Sequence, residues 1–199
     1  MQYSSNPSPA HWNLTKRVLQ YLYSTKDHVL RLGGDNLCLH AYSNMDFAGN
    51  SDDRRSTGGY TIFLGAGAIS WSSRKQSVVT LSSTESKYIT LSEVTWEIMW
   101  THHFFEEIDI TYEAPTTIFE DNQGTIAFVS NQKSLCCMKH IEVKYHFIKK
   151  LIEDGTVCLQ YRPTSQMVAD VLTKPLSPTA HAYHANRLGA VHNKLEEEC

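Results

Sequence analysis

Cysteine is scarce and poorly arranged for cross-linking. Cys38, Cys136, Cys137, Cys158 and Cys199 are odd in number and irregular in spacing, which argues against a disulfide framework. No apolar run is long enough to span a bilayer, so a membrane partner is not expected. The opening MQYSSNPSPAHW is polar and lacks the apolar stretch of a secretory signal, so the expectation is a soluble intracellular protein. Excess charge is missing too. A formal net charge of −3 and a pI of about 6.3 argue against a protein that coats nucleic acid by bulk charge, but leave room for a local basic patch. Internal repeats and low-complexity segments are absent. What is present is an ordinary globular composition, 199 residues with 41% hydrophobic and 20% charged, enough for one domain with appendages.

The periodicity changes along the chain. His11 to Thr25 has near-helical spacing in Trp12, Leu14, Val18, Leu19 and Leu22; a short strand is expected at His28 to Leu32, and Gly33-Gly34-Asp35 breaks the chain. Residues 1–34 therefore read as a separate piece. Leu37 to Ser43, Gly58 to Leu64 and Ala68 to Ser73 read as three strands in an antiparallel meander, the last two joined through Gly65 and Gly67. Ser82-Ser83-Thr84-Glu85 is a capped helix start, and Tyr88, Leu91, Ser92, Thr95, Ile98, Met99 and His102 continue one face to about Glu107. Thr116 to Glu120 is a short buried strand, and Asp121-Asn122-Gln123 opens a second helix. Lys139 to Glu153 is a third helix, Val157 to Arg162 a fifth strand, and a last helix runs from Thr164-Ser165 through Thr173. Ser177 to Cys199 reads as a helix or a loose tail. The order β-β-β-α-β-α-α-β-α predicts an α/β domain with a mixed five-stranded sheet flanked by helices.

Acids collect at the edges of these elements. Asp46 follows the first strand, with Asn44 two residues before it; Glu85 lies in the first turn of the long helix; Asp121 follows the fourth strand; Asp170 sits on the last helix. If the first and fourth strands are neighbours, their C-terminal ends converge. Carboxylates gathered there repel unless cations lie between them, and an oxygen-rich set favours Mg²⁺ or Mn²⁺. Two such ions can activate water and stabilise the leaving oxygen of a phosphodiester. Taken singly, acids in such places are more often solvated helix caps.

The runs DDRRSTGGYTIFLGAGAISWSSRKQSVVTLSSTESKYITLSE (Asp52 to Glu93), DNQGTIA (Asp121 to Ala127), KHIEVKYHFI (Lys139 to Ile148) and VADVLTKPL (Val168 to Leu176) resemble, in order, the ribonuclease H region of copia-type retrotransposon polyproteins. The leading HW, KRVLQYL and TKD resemble the end of the preceding reverse transcriptase. The resemblance implies a ribonuclease H-like fold over residues 35–176, a reverse transcriptase remnant over 1–34 and a tail over 177–199. It implies cleavage of the RNA strand of RNA–DNA hybrids with two Mg²⁺ ions, Mn²⁺ substituting. It further implies a reverse transcriptase domain in the same polyprotein as partner and a cytoplasmic virus-like particle as location. The family's ligand positions carry over to Asn44, Glu85, Asp121 and Asp170, as catalytic and metal-binding residues.

Two departures stand out. Asn44 falls where the family has its first ligand Asp; it offers a carbonyl oxygen but cannot bridge two ions as a carboxylate does. That sets a second reading beside the nuclease: a non-catalytic hybrid-binding or structural domain. An integrase-like enzyme would want basic, zinc-bearing neighbours that are not seen. Lys87 stands where the family commonly has a second Glu, and is expected to face outward with little effect. Asp46, on the same side of an extended strand as Asn44, is a weak substitute ligand. Arg54, Arg55, Arg74 and Lys75 flank the hairpin strands and can hold phosphates; Ser83, Thr84, Asn122 and Gln123 can donate to 2′-hydroxyls and phosphates, or cap helices. His140, His146 and the adjacent Cys136 and Cys137 lack zinc-site spacing. Trp71, Trp96 and Trp100 are expected in the core.

Overall fold

A computed structural model describes residues 5–34, 37–49, 54–80, 82–130 and 139–193. The central sheet has strand order β4-β3-β2-β5-β6, built from β2 (Leu39–Asp46), β3 (Thr57–Leu64), β4 (Gly67–Lys75), β5 (Thr116–Glu120) and β6 (Val157–Tyr161). The β2–β3 and β3–β4 pairs are antiparallel, and β2–β5 and β5–β6 parallel, as the element order predicts. Helices α2 (Ser83–Glu107), α3 (Gln123–Ser130) and α4 (Lys139–Glu153) follow β4 and β5. Two 3₁₀ turns, Thr164–Gln166 and Val168–Leu172, stand where one helix was expected, so Asp170 is held by a tight turn. Met167, with φ −78° and ψ 98°, is extended and fully buried, and it separates the two turns.

The two sheet faces carry separate apolar clusters, as strand alternation requires. Leu39, Ala41, Ile62 and Ile118 pack with Tyr88, Leu91, Val94, Ile98 and Phe105 of α2 and with Ile148 and Leu151 of α4. On the other face Tyr42, Phe63 and Ala68 pack with Met167, Val168 and Ala169 of the 3₁₀ segment. Gly58 and Gly59, consecutive on β3, admit both layers at one place. A Cβ on Gly58 would lie 2.5 Å from Thr90 Oγ1 on α2; one on Gly59 would lie 2.7 Å from Thr173 Cγ2 and 2.9 Å from Leu172 Cβ. The sheet is thereby clamped from both sides at the register position where Gly59 faces Asn44.

The leading segment forms α1 (Pro9–Ser24) and β1 (His28–Leu30), and the C-terminal stretch forms α5 (Pro178–Arg187) and β7 (Ala190–His192). Strands β1 and β7 pair antiparallel, so the described part of the C-terminal stretch carries a helix and a strand, and the strand pairs with the leading segment. The expectation for the tryptophans is overturned: Trp71, Trp96 and Trp100 are 58, 61 and 62% exposed. The face of α2 expected from periodicity, Tyr88, Leu91, Ser92, Thr95, Ile98, Met99 and His102, is buried or half-buried, and Trp96 and Trp100 project from other sides of the helix. Its core face runs through Leu91, Val94, Ile98 and Phe105, leaving Trp96 to stack on Phe147 and Trp100 on Phe104. Cys136 and Cys137 lie outside the described residues.

Gly59→Ala is expected to cost about 1–3 kcal/mol by overpacking against Leu172 and Thr173, measurable by urea denaturation. His102 is buried, its Nε2 2.8 Å from Thr116 Oγ1, and burial holds its pKa below the ordinary value of 6.5. A depressed folded pKa gives stability that is present above the unfolded pKa and lost as pH falls through the folded one. Melting temperature should therefore drop as pH is lowered from about 7.5 to 5.5, and His102→Gln should shrink that drop.

Candidate active site

The parallel register of β2 and β5 pairs Tyr42 with Phe119, which brings Asn44 level with Asp121 just beyond the end of β5. Here the C-terminal ends of the first and fourth sheet strands converge, as expected. Asn44 lies within β2, not past it, and is 2% exposed. Its amide joins the two layers. Oδ1 accepts from Lys87 Nζ at 2.8 Å, and Nδ2 donates to Asp170 Oδ1. The orientation is dictated by the partners: an ammonium only donates and a carboxylate accepts.

Lys87 corrects the sequence reading most directly. It was expected to face outward; it is 7% exposed, and its ammonium donates to Asn44 Oδ1, to Glu120 Oε1 at 2.8 Å and to Asp121 Oδ1. The physical reason is helical phase. At about 100° per residue, Lys87 falls on the same line as Val94, Ile98 and Phe105, all core residues. Continuing that face two turns towards the helix start would have found it. Glu85 is buried at the helix start but lies about 160° around the helix from Lys87. Its backbone N–H donates to Ser82 Oγ, 3.1 Å away, so Ser82 is the cap.

Glu120, not singled out in the sequence, is fully buried at the end of β5. Its Oε1 also accepts from the backbone N–H groups of Asp121 and Asn122, both at 3.1 Å. Burial pushes its pKa up to about 7, against the pull of Lys87. Burial also works to lower the Lys87 pKa, but Glu120 and Asp121 outweigh it and the net shift is upward. For Asp121, burial is opposed by hydrogen bonds from Lys87 and from Thr164, and the pKa lies below the ordinary value. Thr164 Oγ1 donates to Asp121 Oδ2 at 2.7 Å, and Lys174 Nζ pairs with Asp170 Oδ2 at 2.7 Å. Neither partner stood out in the sequence.

Each carboxylate of the cluster thus has a protein cation: Lys87 for Glu120 and Asp121, Lys174 for Asp170. An ammonium has no lone pair to give a metal. At 4 Å and an effective dielectric constant near 20, two unit charges repel by about 4 kcal/mol, and a divalent ion would meet about twice that. Among the described residues no group of three or more His, Cys, Asp or Glu is arranged to hold a metal ion. The residues present do not fit the expected pair of Mg²⁺ or Mn²⁺ ions.

The other expected residues lie around this end of the sheet. Across it, Asn44 pairs with Gly59 and Gly59 with Ser73, so Arg74 and Lys75 follow two strands away and are exposed. Arg54 is exposed and Arg55 half-buried in the segment entering β3. Ser83 is exposed and Thr84 half-buried at the start of α2; Asn122 caps α3 by accepting from Thr125 N at 3.0 Å, and Gln123 is exposed. Asp46 ends β2 beside Gly49, where a Cβ would come within 1.8 Å of its Oδ2.

Over 199 residues the chain is 40% identical to a retrovirus-related Pol polyprotein from transposon RE2 of Arabidopsis thaliana, covering all of this chain and 14% of the relative. It is 34% identical over 173 residues to the corresponding polyprotein from transposon TNT 1-94 of Nicotiana tabacum, covering 87% of this chain and 13% of that one. The chain thus spans 14% and 13% of these curated relatives' lengths. Among solved structures, LC11-RNase H1 isolated from compost aligns with a TM-score of 0.50 at 14% identity, covering 68% of this chain and 92% of that one, a shared fold. No family model matches the chain.

Thr164→Val removes a hydrogen bond to the Asp121 carboxylate and is expected to cost about 1 kcal/mol, read from the urea midpoint.

Proposed function

We propose, given that the chain belongs to the Pol polyproteins of copia-type retrotransposons, that residues 35–176 are their ribonuclease H domain in a form that holds RNA–DNA hybrid without cutting it. Residues 1–34 are then the end of the reverse transcriptase, and the context is an intracellular polyprotein particle. The observation that carries the reading is the Lys87 ammonium among Asn44, Glu120 and Asp121. Lys87 stands at the family's second Glu position, which makes residue 87, rather than Glu85, the α2 member of the site. Two positions that should bring negative charge then bring an amide and a cation. Two-metal hydrolysis has no place to act, and restoring Asn44 alone to Asp would leave the ammonium in place.

Hybrid binding needs no such centre. Arg54, Arg55, Arg74 and Lys75 flank the same sheet end and supply phosphate contacts. Asn122 and Gln123 sit beside Asp121 at the start of α3, and Ser83 and Thr84 at the start of α2; they supply donors for 2′-hydroxyls.

The test is cleavage of a labelled RNA–DNA hybrid in Mg²⁺ and in Mn²⁺ by four proteins: the chain, Asn44→Asp, Lys87→Glu and the double variant. Only the double variant is expected to cut; cutting by the unchanged chain would overturn the reading. In parallel, fluorescence anisotropy should show hybrid binding that survives EDTA and weakens several-fold in an Arg74→Ala/Lys75→Ala variant. Loss of binding in EDTA would argue that metal still mediates contact.

A further inference from the structure

The misfit between this site and a divalent metal has a structural counterpart. A carboxylate cluster at the converging ends of two parallel strands is self-repelling, and one way to hold it is with bound cations. Here a side chain does so. The Lys87 stem lies on the buried line of α2, and its head reaches the sheet end, donating to oxygens of Asn44, Glu120 and Asp121. Those oxygens come from the end of β2, the last residue of β5 and the residue after it, so one ammonium ties α2 to both strands. Asn44 extends the tie to the opposite face, because its amide donates to Asp170 while accepting from Lys87. A carboxylate at 44 could accept from Lys87 but not donate to Asp170. The amide and the ammonium are therefore complementary to each other.

We infer that Lys87 is a tethered cation that has taken over the structural task of a divalent metal ion at this sheet end, so that the domain is held together without metal and binds none there. The inference rests on the family assignment of the site but not on hybrid binding, which anisotropy measures separately. A protein that bound no hybrid would refute the proposed function and leave this inference standing.

Thermal melts in EDTA and in Mg²⁺, with calorimetric Mn²⁺ titration, test it on the chain, on Lys87→Met and on the Asn44→Asp/Lys87→Glu double variant. The unchanged chain should melt at the same temperature in EDTA and in Mg²⁺ and give no Mn²⁺ heat. Lys87→Met should melt lower in EDTA, by on the order of 10 °C, since a buried ion pair is broken by removing one partner. The double variant should melt low in EDTA, recover in Mg²⁺ and bind Mn²⁺. Sub-millimolar Mn²⁺ binding by the unchanged chain, which requires no variant to fold, would overturn the inference. So would a Lys87→Met protein that melts with the unchanged chain in EDTA.

Discussion

One buried ammonium organises the candidate site of this molecule. Lys87 meets three oxygens, from β2, from the last residue of β5 and from the residue after it, and the amide of Asn44 passes the connection to Asp170 on the far side of the sheet. Burying a charge is costly unless it is paired and hydrogen-bonded. Here the ammonium is hydrogen-bonded to two carboxylates and to an amide oxygen. The same cost works in the other direction: once Lys87 is in place, Glu120 and Asp121 have a partner they could not share with a dication.

The rest of the fold makes that meeting possible. Gly58 and Gly59 let α2 and the 3₁₀ segment press onto opposite faces of β3 at one level. Behind α2, Gln76 Nε2 donates to Ser86 O at 2.8 Å and Ser86 Oγ to Ser56 Oγ at 2.8 Å. This buried polar network fixes the start of the helix that carries Lys87. On the other face Met167, Val168 and Ala169 are fully or almost fully buried, and they anchor the turn that presents Asp170. A scaffold able to assemble carboxylates at a point is therefore intact, while the charges assembled there are rebalanced.

Much of this was legible in the sequence. Alternation and turn residues gave the three-stranded meander, the capped start of α2 and the parallel additions, because local periodicity and burial agree there. Element order allowed β2 and β5 to be neighbours without requiring it, and the grouping of Asn44, Asp121 and Asp170 was implied by the family resemblance rather than by spacing. Less legible were features that depend on which face of an element is buried. The periodic face of α2 was read correctly, but Trp96 and Trp100, which lie off it, passed for core by residue type and Lys87 passed for surface by its charge. The 3₁₀ turns replaced an expected helix because Met167 is extended where it packs into the second apolar cluster.

By itself the sequence determined the element order, the family resemblance and the amide at position 44, since these depend on residue types and spacing alone. Only the tertiary structure decided that Lys87 turns inward, that Glu120 joins the cluster and that Lys174 pairs with Asp170. Helical phase fixes an angle but not which angle faces the sheet; that is set by packing of Leu91, Val94 and Ile98 against the core. A charge that reads as solvated in one dimension becomes, once that packing is made, the centre of the site.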